Sequence, residues 1–192
     1  YLRSRFIDKG YKVSQIGTKK ISGLFGLHPL PDFLFNTQYS DVDKVYAFNR
    51  VMKDVSMQEK PDVILLGIPD SLLPLNNKHR FSFGLYAYEI FNAVQPDFVI
   101  TSLMANNGYN DEFYSEISKM AKYKYNVNID AYFVSQFCPL SNSIWSEKLS
   151  YVYLSRMELP KTEYKVYTTS DLNNDILFKQ AEKKLLLYGK YE

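Results

Sequence analysis

With one cysteine, two histidines and one tryptophan in 192 residues, the sequence has little material for several kinds of chemistry. A lone Cys138 excludes an internal disulfide and a cysteine-built zinc site, and it suits a reducing compartment. Flanked by Phe137, Pro139 and Leu140, it reads as an inert thiol at a strand end. His28 and His79 stand in separate loops with no H-x-x-x-H pattern, so zinc hydrolysis has little support. Also missing are G-x-G-x-x-G, the phosphate cradle G-x-x-x-x-G-K-[ST] and the nucleophile elbow G-x-S-x-G. No apolar run approaches the ~18 residues of a membrane helix and no signal-peptide pattern opens the chain. A cytoplasmic protein with no membrane partner is expected. Charge of one sign is lacking too: 23 Lys and Arg stand against 21 Asp and Glu, a net +2, so no nucleic-acid partner is expected.

What is present describes a folding chain. Hydrophobic residues make up 46% and charged residues 23%, ordinary for a globular protein and unlike a disordered one. The 17 Tyr and 13 Phe lack interleaved basic clusters and read as core and half-buried surface. The length fits a single domain over 1–192. The chain opens on Tyr1 inside a helical pattern, as the rear part of a longer natural protein would.

Periodicity and punctuation predict the elements. Leu2, Phe6 and Ile7 at helical spacing end at Lys9-Gly10, and a short strand over 11–16 follows. Residues 17–39 carry Gly23, Gly26, Pro29 and Pro31, a loop bearing Leu24, Phe25, Leu27, Phe33 and Phe35. Ser40 with Asp43 resembles a weak capping box ahead of a helix to Glu59, whose apolar face is Val42, Val45, Phe48, Met52 and Val55. Pro61-Asp62 introduces Val63–Leu66, a continuous apolar run expected to be a central strand covered on both faces. A helix over 81–94, a strand at 98–100, a helix over 111–125 and a strand over 129–137 repeat the unit. Edge strands are expected near 151–154 and 164–167, with a closing helix over 172–188. The fold class is therefore α/β: a three-layer, mostly parallel sheet with helices on both faces. Strands 63–66, 98–100 and 131–134 are expected side by side, with their trailing loops at a common rim.

Ligands of such sheets bind beyond the carboxyl ends of the strands, which selects the loops 17–20, 67–78, 105–110 and 136–142. Asp70 occupies the place of a magnesium-holding carboxylate, or else caps the turn after Pro69. Lys78 and Asn76 share that loop; Lys78 either meets a phosphate or is solvated. Asn106 and Asn107 either hydrogen-bond a base or ribose or, with Gly108, make a tight turn. Thr18 and Lys19 follow the first strand, with Lys19-Lys20 read first as a solvent-facing pair.

Two resemblances bear on these candidates. The sequence Gly10-Tyr11-Lys12-Val13 followed by Gly17-Thr18, with Leu66-Gly67-Ile68-Pro69-Asp70-Ser71-Leu72-Leu73-Pro74-Leu75, resembles P-loop proteins of the dethiobiotin synthetase type. Here Leu66 replaces a metal-associated Glu, Pro69 and Asp70 replace two glycines, and the phosphate loop would fall before Tyr1. That resemblance implies a P-loop NTPase-like fold and ATP or GTP with Mg²⁺ at Asp70. The phrases Gly10–Gly17, Glu59–Ile64 and Asn92–Phe98 resemble a clostridial peptide-maturation-system family from cassettes for ribosomally made, bacteriocin-like peptides. This implies an accessory protein of peptide natural-product maturation whose partner is a precursor peptide or a cassette enzyme. Alternatives are a non-catalytic interaction scaffold and an ATP-dependent ligase-like enzyme in which Asp70 holds magnesium and Lys19 or Lys78 steadies phosphates.

Overall fold

The computed structural model describes residues 1–80, 82–106, 108–155 and 157–188. The chain packs as two compact units, one of Tyr1–Pro74 with Phe81–Gln95, the other of Leu75–Arg80 with Pro96–Glu192. No described helix is long and apolar enough to cross a membrane.

In the first unit, α1 (Leu2–Asp8) leads to β1 (Val13–Gly17), a 3-10 turn over Lys20–Phe25, β2 (His28–Pro29), a second 3-10 turn over Asp32–Phe35, α2 (Asp41–Glu59), β3 (Val63–Leu66) and α3 (Leu85–Ala93). The strand order is β2-β1-β3 and both pairings are parallel, with Val13 opposite Val63 and Ile16 opposite Leu66. Ser40 caps α2 by accepting from Asp43 N at 3.2 Å, while its hydroxyl donates to Asp43 Oδ2 at 2.6 Å. Only the forward half of the expected capping box forms, because the shorter Asp takes the hydroxyl instead of reaching back to the Ser40 amide. Phe48 and Met52 from α2 and Ile90 and Ala93 from α3 close over Ile16, Leu30 and Leu34 to make the core.

In the second unit, β4 (Ile100–Leu103), α4 (Asp111–Tyr125), β5 (Ala131–Val134), the antiparallel hairpin of β6 (Phe137–Pro139) and β7 (Tyr151–Tyr153), β8 (Val166–Tyr167), α5 (Thr169–Leu172) and α6 (Ile176–Tyr188) follow in order. β4, β5 and β8 form a parallel sheet in that order. Tyr114, Ile117 and Tyr132 form a core cluster with Tyr109, Phe113 and Tyr164 against it. This aromatic core is dry enough that burial pushes the Tyr109 phenol up to about 12. Tyr132 keeps its hydroxyl satisfied by donating to the Tyr114 carbonyl at 3.0 Å.

The expected α/β class with mostly parallel strands is what the molecule has, but the single sheet is not. Strand 63–66 pairs with β1, whereas strands 100–103 and 131–134 belong to another sheet, so the three do not lie side by side in one sheet. Residues 63–66 are each only half-buried, because β3 has a strand partner on one flank alone within its sheet. The strand expected at 98–100 starts instead at Ile100, since Val99 N donates to the Asp130 carboxylate at 2.9 Å. The closing helix is broken after Leu172, where Asp175 adopts φ 56°.

Phe48 has no exposed surface and sits at the centre of the first core. Phe48→Ala is expected to cost about 3–5 kcal/mol, measured as a lowered urea midpoint; a loss below about 1 kcal/mol would show that the core collapses around the gap.

Candidate functional site

The parallel register of β1 with β3 brings Gly17 and Gly67 together just beyond the strand ends, and Gly67 N donates to Ile16 O at 2.9 Å. Gly17 has no room for a side chain, and Gly67 has little. A Cβ on Gly67 would lie 3.0 Å from Thr18 Cγ2, and one on Gly17 would lie 2.3 Å from Ser22 Oγ. Glycine at 17 lets the following 3-10 turn fold tightly back, with Ser22 N donating to Lys19 O at 2.9 Å and Gly26, at φ 68°, ending the turn.

The result is a shallow depression of about 340 Å³ lined by Gln15, Gly17, Thr18, Lys19, Ser22 and Gly67 together with Ile16, Ile21, Phe25 and Leu27. The strand order turns at β1, since the chain goes from β1 to β2 on one flank and returns through α2 to β3 on the other. A crevice beyond the carboxyl ends at such a reversal is where open α/β sheets hold ligands. Lys20 is paired with Asp32 at 2.8 Å, but the Lys19 ammonium has no ion-pair partner among the described residues. Thr18 and Lys19 are exposed, as are Ile21 and Phe25. Among the described residues the lining therefore combines one cation, two hydroxyls, the Gln15 amide and apolar surface, with no carboxylate or imidazole.

The remaining candidates have structural partners. Asp70, at φ 67°, accepts from Ser82 N at 2.8 Å and from the Ser82 hydroxyl, so its carboxylate holds a turn. It is not among the residues lining the depression, and no described group of three His, Cys, Asp or Glu side chains could hold a metal ion. Asn76 and Lys78 lie in the second unit. The Asn76 amide oxygen accepts from Lys78 N and His79 N, both at 2.8 Å, and its nitrogen donates to Ile144 O at 2.8 Å. Lys78 Nζ donates to Trp145 O at 2.7 Å. Asn106 accepts from Gly108 N at 2.8 Å, as in a tight turn, and Asn107 lies outside the described residues. The candidates thus divide between the units, and Thr18 and Lys19 alone line the depression.

Two charged arrangements escaped the sequence reading. His28, expected in a loop, is in β2 with Nε2 2.5 Å from Glu59 Oε1, and the buried Ser14 hydroxyl donates to the other oxygen. Because an ionised carboxylate only accepts, the proton lies on Nε2 and Ser14 has no base on it. The order serine, carboxylate, imidazole ties β1, β2 and the end of α2 together and is not a nucleophile relay. Lys44 and Glu89, 7% and 0% exposed, pair at 3.0 Å between α2 and α3. Glu89 Oε2 has no hydrogen-bond partner among the described residues, and burial raises its pKa against the pull of Lys44.

Comparison with protein-family models, with curated proteins and with solved structures finds no match.

The Ser14 hydrogen bond, ahead of the opposing effect of burial and the help of His28, holds the Glu59 carboxyl below its ordinary 4.5. A carboxyl lowered by folding stabilises fully above its unfolded value and loses that contribution as pH falls through the lower folded value. Urea midpoints of Glu59→Gln should accordingly lie below wild type at neutral pH and converge on it below about pH 4.5; a constant gap across that range would exclude the linkage. Lys44→Met leaves a buried carboxylate unpaired and should cost about 3–5 kcal/mol at pH 7. That loss should shrink on acidification as Glu89 takes up a proton, and a loss that grows instead would contradict the raised pKa.

Proposed function

We propose that the first unit binds a small phosphate-bearing ligand, a nucleotide in the first instance, at the depression beyond β1 and β3, as part of a cytoplasmic accessory protein for peptide natural-product maturation. The observation that carries the binding reading is the unpaired Lys19 beside the two glycines that keep the crevice open. An exposed ammonium with two hydroxyls near backbone that can be closely approached suits an oxyanion, and the adjacent Ile21, Phe25 and Leu27 suit a ring or other apolar body. The maturation context comes from the resemblance of Gly10–Gly17, Glu59–Ile64 and Asn92–Phe98 to the peptide-maturation family. Binding at β1 and β3 does not require a P-loop-like sheet, and the proposal stops at binding because no carboxylate or imidazole among the described residues lines the depression.

A second reading, docking of a precursor peptide, is favoured by the apolar residues in the segment from Leu24 to Phe35. Leu24 is 82%, Phe25 71% and Phe35 41% exposed.

Calorimetric titration of the whole chain with ATP, GTP and their monophosphates, with and without Mg²⁺, tests the first reading. Heat is expected for at least one nucleotide, with affinity falling about tenfold or more in Lys19→Ala. No heat from any nucleotide would remove the nucleotide reading and leave the second, which fluorescence anisotropy with a labelled precursor peptide would then test.

A further inference from the structure

We infer that the ligand of this depression is a phosphomonoester carrying a ring or other apolar body, bound without a metal ion, and that the Ser22 hydroxyl is its specificity contact. This rests on the binding reading above and narrows it.

Ser22 is 8% exposed, yet it lines the depression and its hydroxyl makes no hydrogen bond to any described residue. Gly17 leaves it the space, since any side chain at 17 would collide with Ser22 Oγ and Cβ. The Ser22 oxygen, unlike Glu89 Oε2, is not sealed from solvent, so a hydroxyl with no protein partner stands at the wall of the depression where a ligand oxygen can meet it. Its orientational freedom about the C–O bond suits it to donate to an oxyanion whose approach is set by the Lys19 ammonium.

Charge selects among phosphates. A phosphomonoester carries about −1.5 to −2 at neutral pH, which one lysine and two hydroxyl donors can answer. Triphosphate sites in nucleotide hydrolases add a Mg²⁺ held by protein oxygen ligands. Here the neighbouring Lys20 is paired with Asp32, Asp70 is bound to Ser82, and no carboxylate among the described residues lines the crevice to take up a metal ion. Size agrees: about 340 Å³ lies near the lower end of the roughly 300–1,000 Å³ of small-molecule sites. The apolar part of the ligand is placed by Phe25, 71% exposed, and Ile21, 55% exposed, both part of the same lining, where a ring gains by covering them.

The test is calorimetric titration of the whole chain with AMP, UMP, phenyl phosphate, inorganic phosphate, benzoate and ATP with Mg²⁺. The ring-bearing monophosphates are expected to bind at least about tenfold tighter than inorganic phosphate and benzoate, with no gain from Mg²⁺. Ser22→Ala, which adds no bulk, should weaken them about tenfold with an unchanged melting temperature. Binding of phosphomonoesters that Ser22→Ala leaves unaltered would overturn the assigned contact. Tighter, Mg²⁺-dependent binding of ATP that is lost in Lys19→Ala would overturn this inference and leave the nucleotide reading standing. Silence from every ligand would overturn both.

Discussion

The parallel pairing of β1 with β3 is the constraint on which the first unit depends. Its register sets Ile16 beside Leu66, and Ile64, Leu66 and Ile16 all meet the core built by α2 and α3. Because side chains alternate faces along a strand, a slip of one residue would turn that apolar set away from the helices, so burial fixes the register. The same register delivers two glycines to adjacent strand ends, and with them the opening of the crevice. Core and candidate site are therefore two ends of one ladder.

α2 links that ladder to two charge systems of opposite character. Near its start, Lys44 pairs with a Glu89 so deeply buried that its pKa is raised. At its end, Glu59 is partly open to water and gathers Ser14 and His28, which lowers its pKa. Acid thus relieves one carboxylate while undoing the other. The buried pair places α3 against α2, and the Glu59 cluster holds the far end of α2 to β1 and β2.

Elements marked by local chemistry were legible in the sequence. α4 spans the expected 111–125 because Asn110 caps it, accepting from Phe113 N at 2.9 Å, and Tyr125 is followed by Asn126 at φ 56°. α2 ends at Glu59 for a comparable reason, Lys60 turning to φ 48°. What the sequence hid depends on distant partners. An apolar run such as Val63–Leu66 announces a strand but cannot say how many neighbours it will have, and here its sheet provides one. Thr18 and Lys19 could be found from the rule that strand-end loops bind ligands, whereas Ser22 could not, since its burial follows from the missing side chain at Gly17. Asp70 could be read either as a metal ligand or as a turn cap, and the Ser82 that pairs with it stands twelve residues on, beyond any local pattern. Asn76 and Lys78 are bound to backbone carbonyls at 144 and 145, a closure no local pattern records.

The excursion of residues 75–80 into the second unit makes the first unit discontinuous along the chain. Ile90 and Ala93, needed to seal its core, and Glu89, needed to neutralise buried Lys44, all arrive after that excursion. As the ribosome extends the chain from the amino terminus, the sheet of β1, β2 and β3 can pair while its apolar face still lacks α3. Only when the polypeptide has emerged past residue 93 is that face covered, so the nascent chain passes through an interval in which it carries a sticky surface of its own making.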